Sequence, residues 1–290
     1  MSHAETLPTK RRRKGKYFRG LSPMSYAILL LIAFVSFFPF YWMFVVASNG
    51  QDVIAHVPPA IKPGHNFRHE VRAVLDVVPF GRTMLNTVMI ALVIAVAQVF
   101  FSAMAGFAFA KLHFPGRKFL VVFVVATMML PSQLGLVPLF MMMDKFNWID
   151  NFKALIVPAL VTAFGVFWMR QVIDAQVPNE LLEAAKIDGA GVMRMFRSII
   201  VPVILPSAFV LALFSFLATW NDYLWPLLIL NSPEHYTVQV ALTQLNTEAY
   251  GVDYNIVMAG SFMATAPLVL LFVFVGRRLV AGVMDGAVKG

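Results

Sequence analysis

Apolar residues fall along this 290-residue chain in six long runs, covering about residues 26–48, 83–110, 119–142, 154–169, 203–230 and 256–276. A helix of roughly 20 apolar residues spans the hydrocarbon core of a bilayer. Five runs reach that length. The fourth reaches it only by continuing past Arg170 through Val172 and Ile173, with the long arginine side chain reaching back to the interface. The pattern predicts an all-α, polytopic membrane protein with six transmembrane helices.

Two connections between the runs carry structure of their own. The first, residues 49–82, holds Pro58, Pro59 and Pro63 among polar residues, which predicts an irregular or partly helical cap outside the membrane. The second, from Gln171 to Val201, is longer than a hairpin needs. Pro178 followed by Asn179, Glu180, Leu181, Leu182, Glu183, Ala184 and Ala185 predicts a helix start: proline fits the first turn and acids suit its positive end. Asp188-Gly189 then predicts a sharp turn. A second short helix is predicted from about 192 to 200, with Val192, Met195, Phe196 and Ile199 on one stripe and Arg194 and Arg197 elsewhere. Pro202 is expected to end it, with Pro206 near the start of the fifth span. By periodicity alone, this amphipathic helix-turn-helix is equally an interfacial segment lying on lipid headgroups.

Composition agrees with a membrane chain: 59% of residues are apolar and 13% are charged, about half the soluble norm of ~25%. Disorder is excluded, and the deficit of charge argues against an ordinary cytosolic enzyme. The formal charge of +8 does not point to nucleic acid, because the basic residues cluster beside the apolar runs. With a cytoplasmic N-terminus, 17 Lys and Arg fall on the inner side and six on the outer. The positive-inside rule therefore predicts cytoplasmic N- and C-termini. The first run is longer than a secretory h-region and reads as an uncleaved span, so residues 1–25 form a cytoplasmic basic tail and 26–290 the membrane domain. With no cysteine, disulfides and thiolate metal sites do not arise.

The inner loop, about residues 174–202, carries a more specific signal. Glu183-Ala184-Ala185, then Gly189, Ile199 and Pro202, resembles the coupling loop of permease subunits in binding-protein-dependent ABC importers. The fuller run Glu183-Ala184-Ala185-Lys186-Ile187-Asp188-Gly189-Ala190, with Phe196 and both prolines, resembles the carbohydrate branch, in the style of the maltose-type second permease. Trp220-Asn221-Asp222-Tyr223-Leu224-Trp225-Pro226-Leu227 and the ending Gly286-Ala287-Val288-Lys289-Gly290 are similar to that branch too. One departure is Val201, where leucine commonly precedes the proline. The resemblance covers roughly residues 20–290.

The resemblance implies an inner-membrane subunit forming half of the pathway of a sugar or oligosaccharide importer. Its implied partners are a second permease, two ATPase subunits, an extracytoplasmic sugar-binding protein and membrane lipid. ATP and Mg would sit on the partner ATPase, with no cofactor or metal in this chain. It implies that Glu183, Ala184, Ala185, Asp188, Gly189 and Ala190 couple to the ATPase, with Glu183 facing a basic residue and Gly189 setting the angle between the two short helices. The same class of importer for glycerol phosphate or another small solute, and a stand-alone secondary transporter, are the alternatives.

Little else carries chemistry. No phosphate-cradling Gly-rich Lys motif, HExxH helix or GxSxG elbow occurs, so neither ATP hydrolysis nor another catalytic activity is expected of this chain. His65 and His69 have i, i+4 spacing but read as ordinary loop histidines; His3, His56, His113 and His235 also lie outside the runs. Asp222 is the one acidic residue deep in a predicted span. Two roles compete for it. It faces the translocation path, or it serves a kink where Pro226 removes the donor for its carbonyl, with Asn221 assisting. Trp220, Tyr223 and Trp225 fit sugar stacking and an outer aromatic belt equally well. Ser102, Gly106 and Ala110 form a row of small residues for close helix packing, in this bundle or against a second permease. The last outer loop, 231–255, lacks Lys and Arg but holds Glu234, Tyr236, Gln239, Gln244, Tyr250, Asp253 and Tyr254, and is either a contact for the binding protein or a solvated connection.

Overall fold

The structure is a computed structural model that describes residues 22–50, 61–246 and 253–287, with side chains described up to Gly276. Residues 1–21 of the predicted basic tail, with His3, and His56, Pro58, Pro59, Tyr250 and the closing Val288, Lys289 and Gly290 lie outside the described residues. Those described form helices and turns, without a strand among them. The chain divides into two compact units, one ending at Trp42 and the other starting at Met43.

Helix α1 (Pro23–Ser48) makes up most of the described part of the first unit, and its residues 43–48 belong to the second. Its aromatic side chains pair one turn apart, Phe34 with Phe38 and Phe38 with Trp42, at ring separations of 6.4 and 6.0 Å. Leu30, Phe34 and Val35 are exposed, and apolar residues occur all round the helix, as a membrane span requires.

The second unit holds α2 (Phe67–Val77), α3 (Phe80–Lys111) and α4 (Arg117–Thr127), then a 3₁₀ turn (Ser132–Gly135) leading into α5 (Leu136–Lys145). There follow α6 (Lys153–Ile156), α7 (Ala163–Gln176), α8 (Asn179–Ile187), α9 (Val192–Trp220), α10 (Leu224–Ile229), α11 (Val238–Thr243) and α12 (Tyr254–Ala287). Among the described residues, α1, α3, α9 and α12 are long and apolar enough to cross a membrane. Residues 117–127 and 132–145 make a fifth candidate if counted as one span bent by 97°. The predicted outer cap contains α2, whose Val74 is buried while Leu75 and Val77 face outward.

Three departures from the predicted runs share a cause. The third run breaks before Pro131 and the fourth around Pro158, because proline lacks the N–H that would continue a helix and disfavours helical backbone in the residue before it. The fourth run is therefore not one helix: α7 starts afresh at Thr162, which is extended and whose hydroxyl accepts the Gly165 N–H at 3.2 Å. Pro202, expected to end a short helix, does the opposite. Residues 192–220 run on as one helix through a π-helical turn at Phe196–Ile200. The wider i→i+5 pairing accommodates a proline that would disrupt the i→i−4 ladder.

The centre of the unit is α3 against α7 and α9. Gly106 lies on the α7 backbone, where a Cβ would sit 2.7 Å from the Arg170 nitrogen and 2.8 Å from the Met169 carbonyl carbon. One turn earlier, Ser102 faces Gly165. The row of small residues thus packs within this bundle. Midway along, Gln98 donates to the Ala159 carbonyl at 3.0 Å and accepts from Ser215, joining α3, the 157–162 link and α9.

Buried residues gather in three clusters. One, the inner cluster, named for the predicted inner loop it adjoins, joins Phe107, Met169, Ile173, Leu182, Met195, Phe196 and Ile200. A second joins Val74, Phe80, Trp220, Val238 and Ile256, with Phe44, Phe67 and Phe262 packed ring to ring at 5.0–5.6 Å. A third joins Ile90, Ile94, Met143, Leu155 and Ile229. Beside the third, Asp150 latches two loops. It stands at φ +57, its N–H donates to the Ile229 carbonyl, and its carboxylate accepts the N–H groups of Asn231 and Ser232 at 2.9 and 3.0 Å and the Ser232 hydroxyl. His235 Nδ1 lies 3.1 Å away. Burial pushes this carboxyl up, but the bonds from Ser232, Asn231 and His235 outweigh it and hold it at about 2.

Gly106→Val is expected to lower the melting temperature of the detergent-solubilised chain by several degrees, since overpacking of this kind costs roughly 1–3 kcal/mol. Gly81→Ala, where nothing lies within 4 Å of the added Cβ, leaves the melting temperature equal or slightly raised. For Asp150 the folded value lies below the ordinary 3.8, so its contribution is complete above about pH 4 and is lost as pH falls towards 2. Asp150→Asn removes that part of the acid sensitivity in a melting series from pH 2 to 6, and unchanged acid sensitivity refutes the latch.

Candidate functional site

The site in the predicted inner loop starts at the C-terminal end of α3. Lys111 is its last residue, and the side chain is 5% exposed. Its ammonium donates to Asn179 Oδ1 at 2.9 Å and lies 3.8 Å from Asp174 Oδ1, tying the end of α7 and the first residue of α8 to α3. Pro178, extended, sits immediately before α8 as its N-cap. Leu182 is buried in the inner cluster and Glu180 occupies the first turn, so α8 has one anchored face and one free face.

The turn after α8 is a Schellman motif. Gly189 takes φ +77, its N–H bonds the Lys186 carbonyl at 3.0 Å, and the Ala190 N–H bonds the Ala185 carbonyl at 2.8 Å. Ala185 and Ala190, which close this motif, pack against the inner cluster, whereas Glu183, Ala184 and Asp188 are exposed. Around Glu183 the exposed surface is apolar: Leu181 is 49% exposed, Ile187 87% and Met193 50%. Such a patch beside charged residues is the usual mark of a surface that meets another protein. Between α8 and the turn after α3 lies a cavity of about 310 Å3, lined by Lys111, His113, Arg117, Asp174, Glu183 and Lys186.

The second group of predicted residues lies where α9 stops. Asn221 is exposed, and its amide donates to the Leu217 carbonyl at 2.8 Å, satisfying the helix end. Trp220 is 1% exposed within the second cluster. Tyr223 is exposed, and Pro226 is buried early in α10, where its missing N–H leaves no gap in the ladder. Asp222 is half-buried and lines a cavity of about 320 Å3 with Ser132, Gln133, Thr219, Trp225 and Thr237. Trp225 is fixed by a bond from Nε1 to the Ala154 carbonyl at 3.0 Å. As site residues Lys111, Gln133 and Thr237 went unread in the sequence, and Asn179 was read only as part of the helix start; a lysine closing an apolar run was the single available signal.

His69 lies on α2 and His65 in the turn before it. Among the described residues no group of three or more His, Cys, Asp or Glu stands together as a metal site. In the last outer loop, Glu234 and Tyr236 offer their carbonyls to α3: Arg82 donates to Glu234 at 3.0 Å, and Asn86 to Glu234 and Tyr236 at 2.9 and 3.1 Å.

Residues 98–284 match the family described as "Binding-protein-dependent transport system inner membrane component". The chain is 39% identical over 205 residues to the arabinooligosaccharides transport system permease protein AraQ of Halalkalibacterium halodurans, covering 71% of this chain and 73% of that protein. It is 32% identical over 266 residues to the lactose transport system permease protein LacG of Rhizobium radiobacter, covering 92% and 96%. To the sn-glycerol-3-phosphate transport system permease protein UgpE of Yersinia pestis it is 30% identical over 274 residues, covering 92% and 97%. Its fold matches, with a TM-score of 0.76 and 20% identity, a chain of a bacterial ABC transporter involved in the import of the acidic polysaccharide alginate, over 88% of this chain and 95% of that one.

Lys111→Met removes the charged bond between α3 and α8, worth ~1.5–3 kcal/mol in a buried setting. Amide exchange across 179–187 is expected to accelerate about tenfold or more, with 80–100 unchanged. Equal protection of α8 in both proteins overturns the assigned tether.

Proposed function

The chain belongs to the binding-protein-dependent transport system inner membrane component family, and on that premise we propose that it forms half of the translocation pathway of an ATP-driven importer for a sugar or oligosaccharide. It is a multi-pass permease subunit. The proposed assembly adds a second permease, two ATPase subunits carrying ATP and Mg, and an extracytoplasmic binding protein. This chain contributes no catalytic activity; the energy comes from its partners. Membrane crossings number six, with 117–145 as a bent third span and the 153–176 segment as a fourth, both termini are cytoplasmic, and the permease domain runs from 26 to 290. The basic-residue distribution supports that orientation.

The observation that carries the reading is the free face of α8. Glu183, Ala184, Ile187 and Asp188 are exposed on a short helix whose other face is anchored through Leu182, Ala185 and Lys111. In the proposed mechanism the ATPase takes this face, with Glu183 meeting a basic residue and Gly189 fixing the angle into α9. Closure of the ATPases on ATP displaces α8, the inner cluster moves with it, and α3, α7 and α9 shift between two packings. Hydrolysis resets them. Likeness to an arabinooligosaccharide and a lactose permease supports a saccharide cargo. Likeness to a glycerol-phosphate permease supports a phosphate ester as the second reading.

Glu183→Lys and Gly189→Asp are expected to bring uptake in proteoliposomes of the assembled importer to background, with normal amounts of the chain in the membrane. Wild-type uptake by both refutes the docking role of α8. A thermal-shift screen of the importer's binding protein separates the cargoes: strong stabilisation by a saccharide is expected, and stabilisation by sn-glycerol 3-phosphate alone keeps the importer but overturns the sugar.

A further inference from the structure

The cavity at the break between α9 and α10 has a one-sided electrostatic character. Its walls come from α3 (Thr87, Ile90), the turn before α5 (Ser132, Gln133), the 157–162 link (Pro158, Ala159) and the start of α10. Among the described lining residues Asp222 is the one ionisable group, with no Lys, Arg or His to offset it. Thr237 also lines the cavity, and it is 4% exposed with an Oγ1 that has no hydrogen-bond partner. A buried hydroxyl without a partner is costly, and this one belongs to a residue of the cavity wall. At about 320 Å3 the space lies within the range of small-ligand sites, ~300–1,000 Å3.

We propose that this cavity is a cargo-contact site on this subunit, with Asp222 selecting uncharged polyhydroxylated or cationic solutes and excluding anions such as phosphate esters. The inference rests on the importer reading above and names its cargo class. A carboxylate accepts hydrogen bonds from neighbouring hydroxyls of one solute, and Thr237, Thr219, Ser132 and Gln133 supply further polar partners around it. Apolar walls from Ile90, Ile94, Leu139 and Trp225 keep the local dielectric low, which strengthens the field of the single charge. An anion entering meets repulsion with no cation in the described walls to relieve it.

The chain has no cysteine, so Thr219→Cys places one thiol in this subunit, at the cavity wall. In proteoliposomes of the assembled importer, its labelling by a cationic and an anionic methanethiosulfonate is read by mass on this chain, each rate normalised to that of a free thiol. The cationic reagent is expected to be favoured on the order of tenfold, and adding Asp222→Asn to bring the ratio near one. A ratio that Asp222→Asn leaves unchanged, or a thiol that neither reagent reaches, overturns the proposal. Asp222→Asn and Thr237→Val, each without the cysteine, are expected to lower uptake of a neutral saccharide about tenfold at equal amounts in the membrane; full uptake by both overturns cargo contact. Uptake by the wild type in the same vesicles reports on the importer assignment separately. Its absence, with the labelling ratio and its response to Asp222→Asn intact, overturns that assignment while supporting the charge selection of the cavity.

Discussion

The contact on which the rest of this structure depends is the close approach of α3 and α7 across Gly106 and the Ser102–Gly165 pair. Inside a bilayer, apolar side chains gain little by leaving lipid for one another, so helix association rests on packing and on interhelical hydrogen bonds. A short helix such as α7, with 14 residues, has limited area with which to hold its place. The absence of a side chain at Gly106 lets the two backbones meet, and Met169 and Ile173 are then fully buried in the inner cluster. Because α7 leads into α8 through Val177 and Pro178, the placement of the whole inner loop follows from that contact. Lys111 closes the arrangement by bonding across the same junction.

A second constraint is the satisfaction of backbone polar groups where apolar helices are interrupted. Non-helical backbone at membrane depth is tolerated where it is buried in protein or lines a cavity. Three interruptions among the described residues follow that rule together: Ser132 and Gln133, Pro158 and Ala159, and Asp222 and Leu224 all line one cavity. Side chains take up some of the exposed carbonyls, as Gln98 does for Ala159, Trp225 for Ala154 and Asn221 for Leu217. The prolines that end the helices therefore also define where a polar space exists in an otherwise apolar bundle.

This explains what the sequence made legible. The all-helical membrane character was written in the length of the apolar runs, and α8 and its turn were written in Pro178, the 179–185 run and Gly189, because capping chemistry is local. The breaks at Pro131 and Pro158 were hidden inside runs whose hydropathy stayed high. Pro202 misled for a related reason: whether a proline ends a helix or is absorbed in a wider turn depends on whether neighbours such as Phe196 and Ile200 are held by tertiary packing, and both are buried here. Lys111 and Thr237 were silent because their meaning lies in partners distant in sequence, Asn179 in one case and the cavity lined by Asp222 in the other.

The two sites are joined by the helices that separate them. Thr87 lines the cavity and Lys111 holds α8, and the stretch of α3 from one to the other makes a rod of roughly 36 Å. α9 repeats the design, with Met195 and Phe196 in the inner cluster and Thr219 at the cavity wall. The two rods are clamped to each other through Gln98, midway along α3, and Ser215, one turn before Thr219 on α9. Interlocked small residues and a buried polar bond resist sliding by small amounts, so a displacement imposed on α8 is carried as movement of the packed group or not at all. On the proposed reading, that stiffness is what lets an event at an exposed nine-residue helix alter a cavity at the far end of the bundle, and it requires no energy-yielding chemistry along the way.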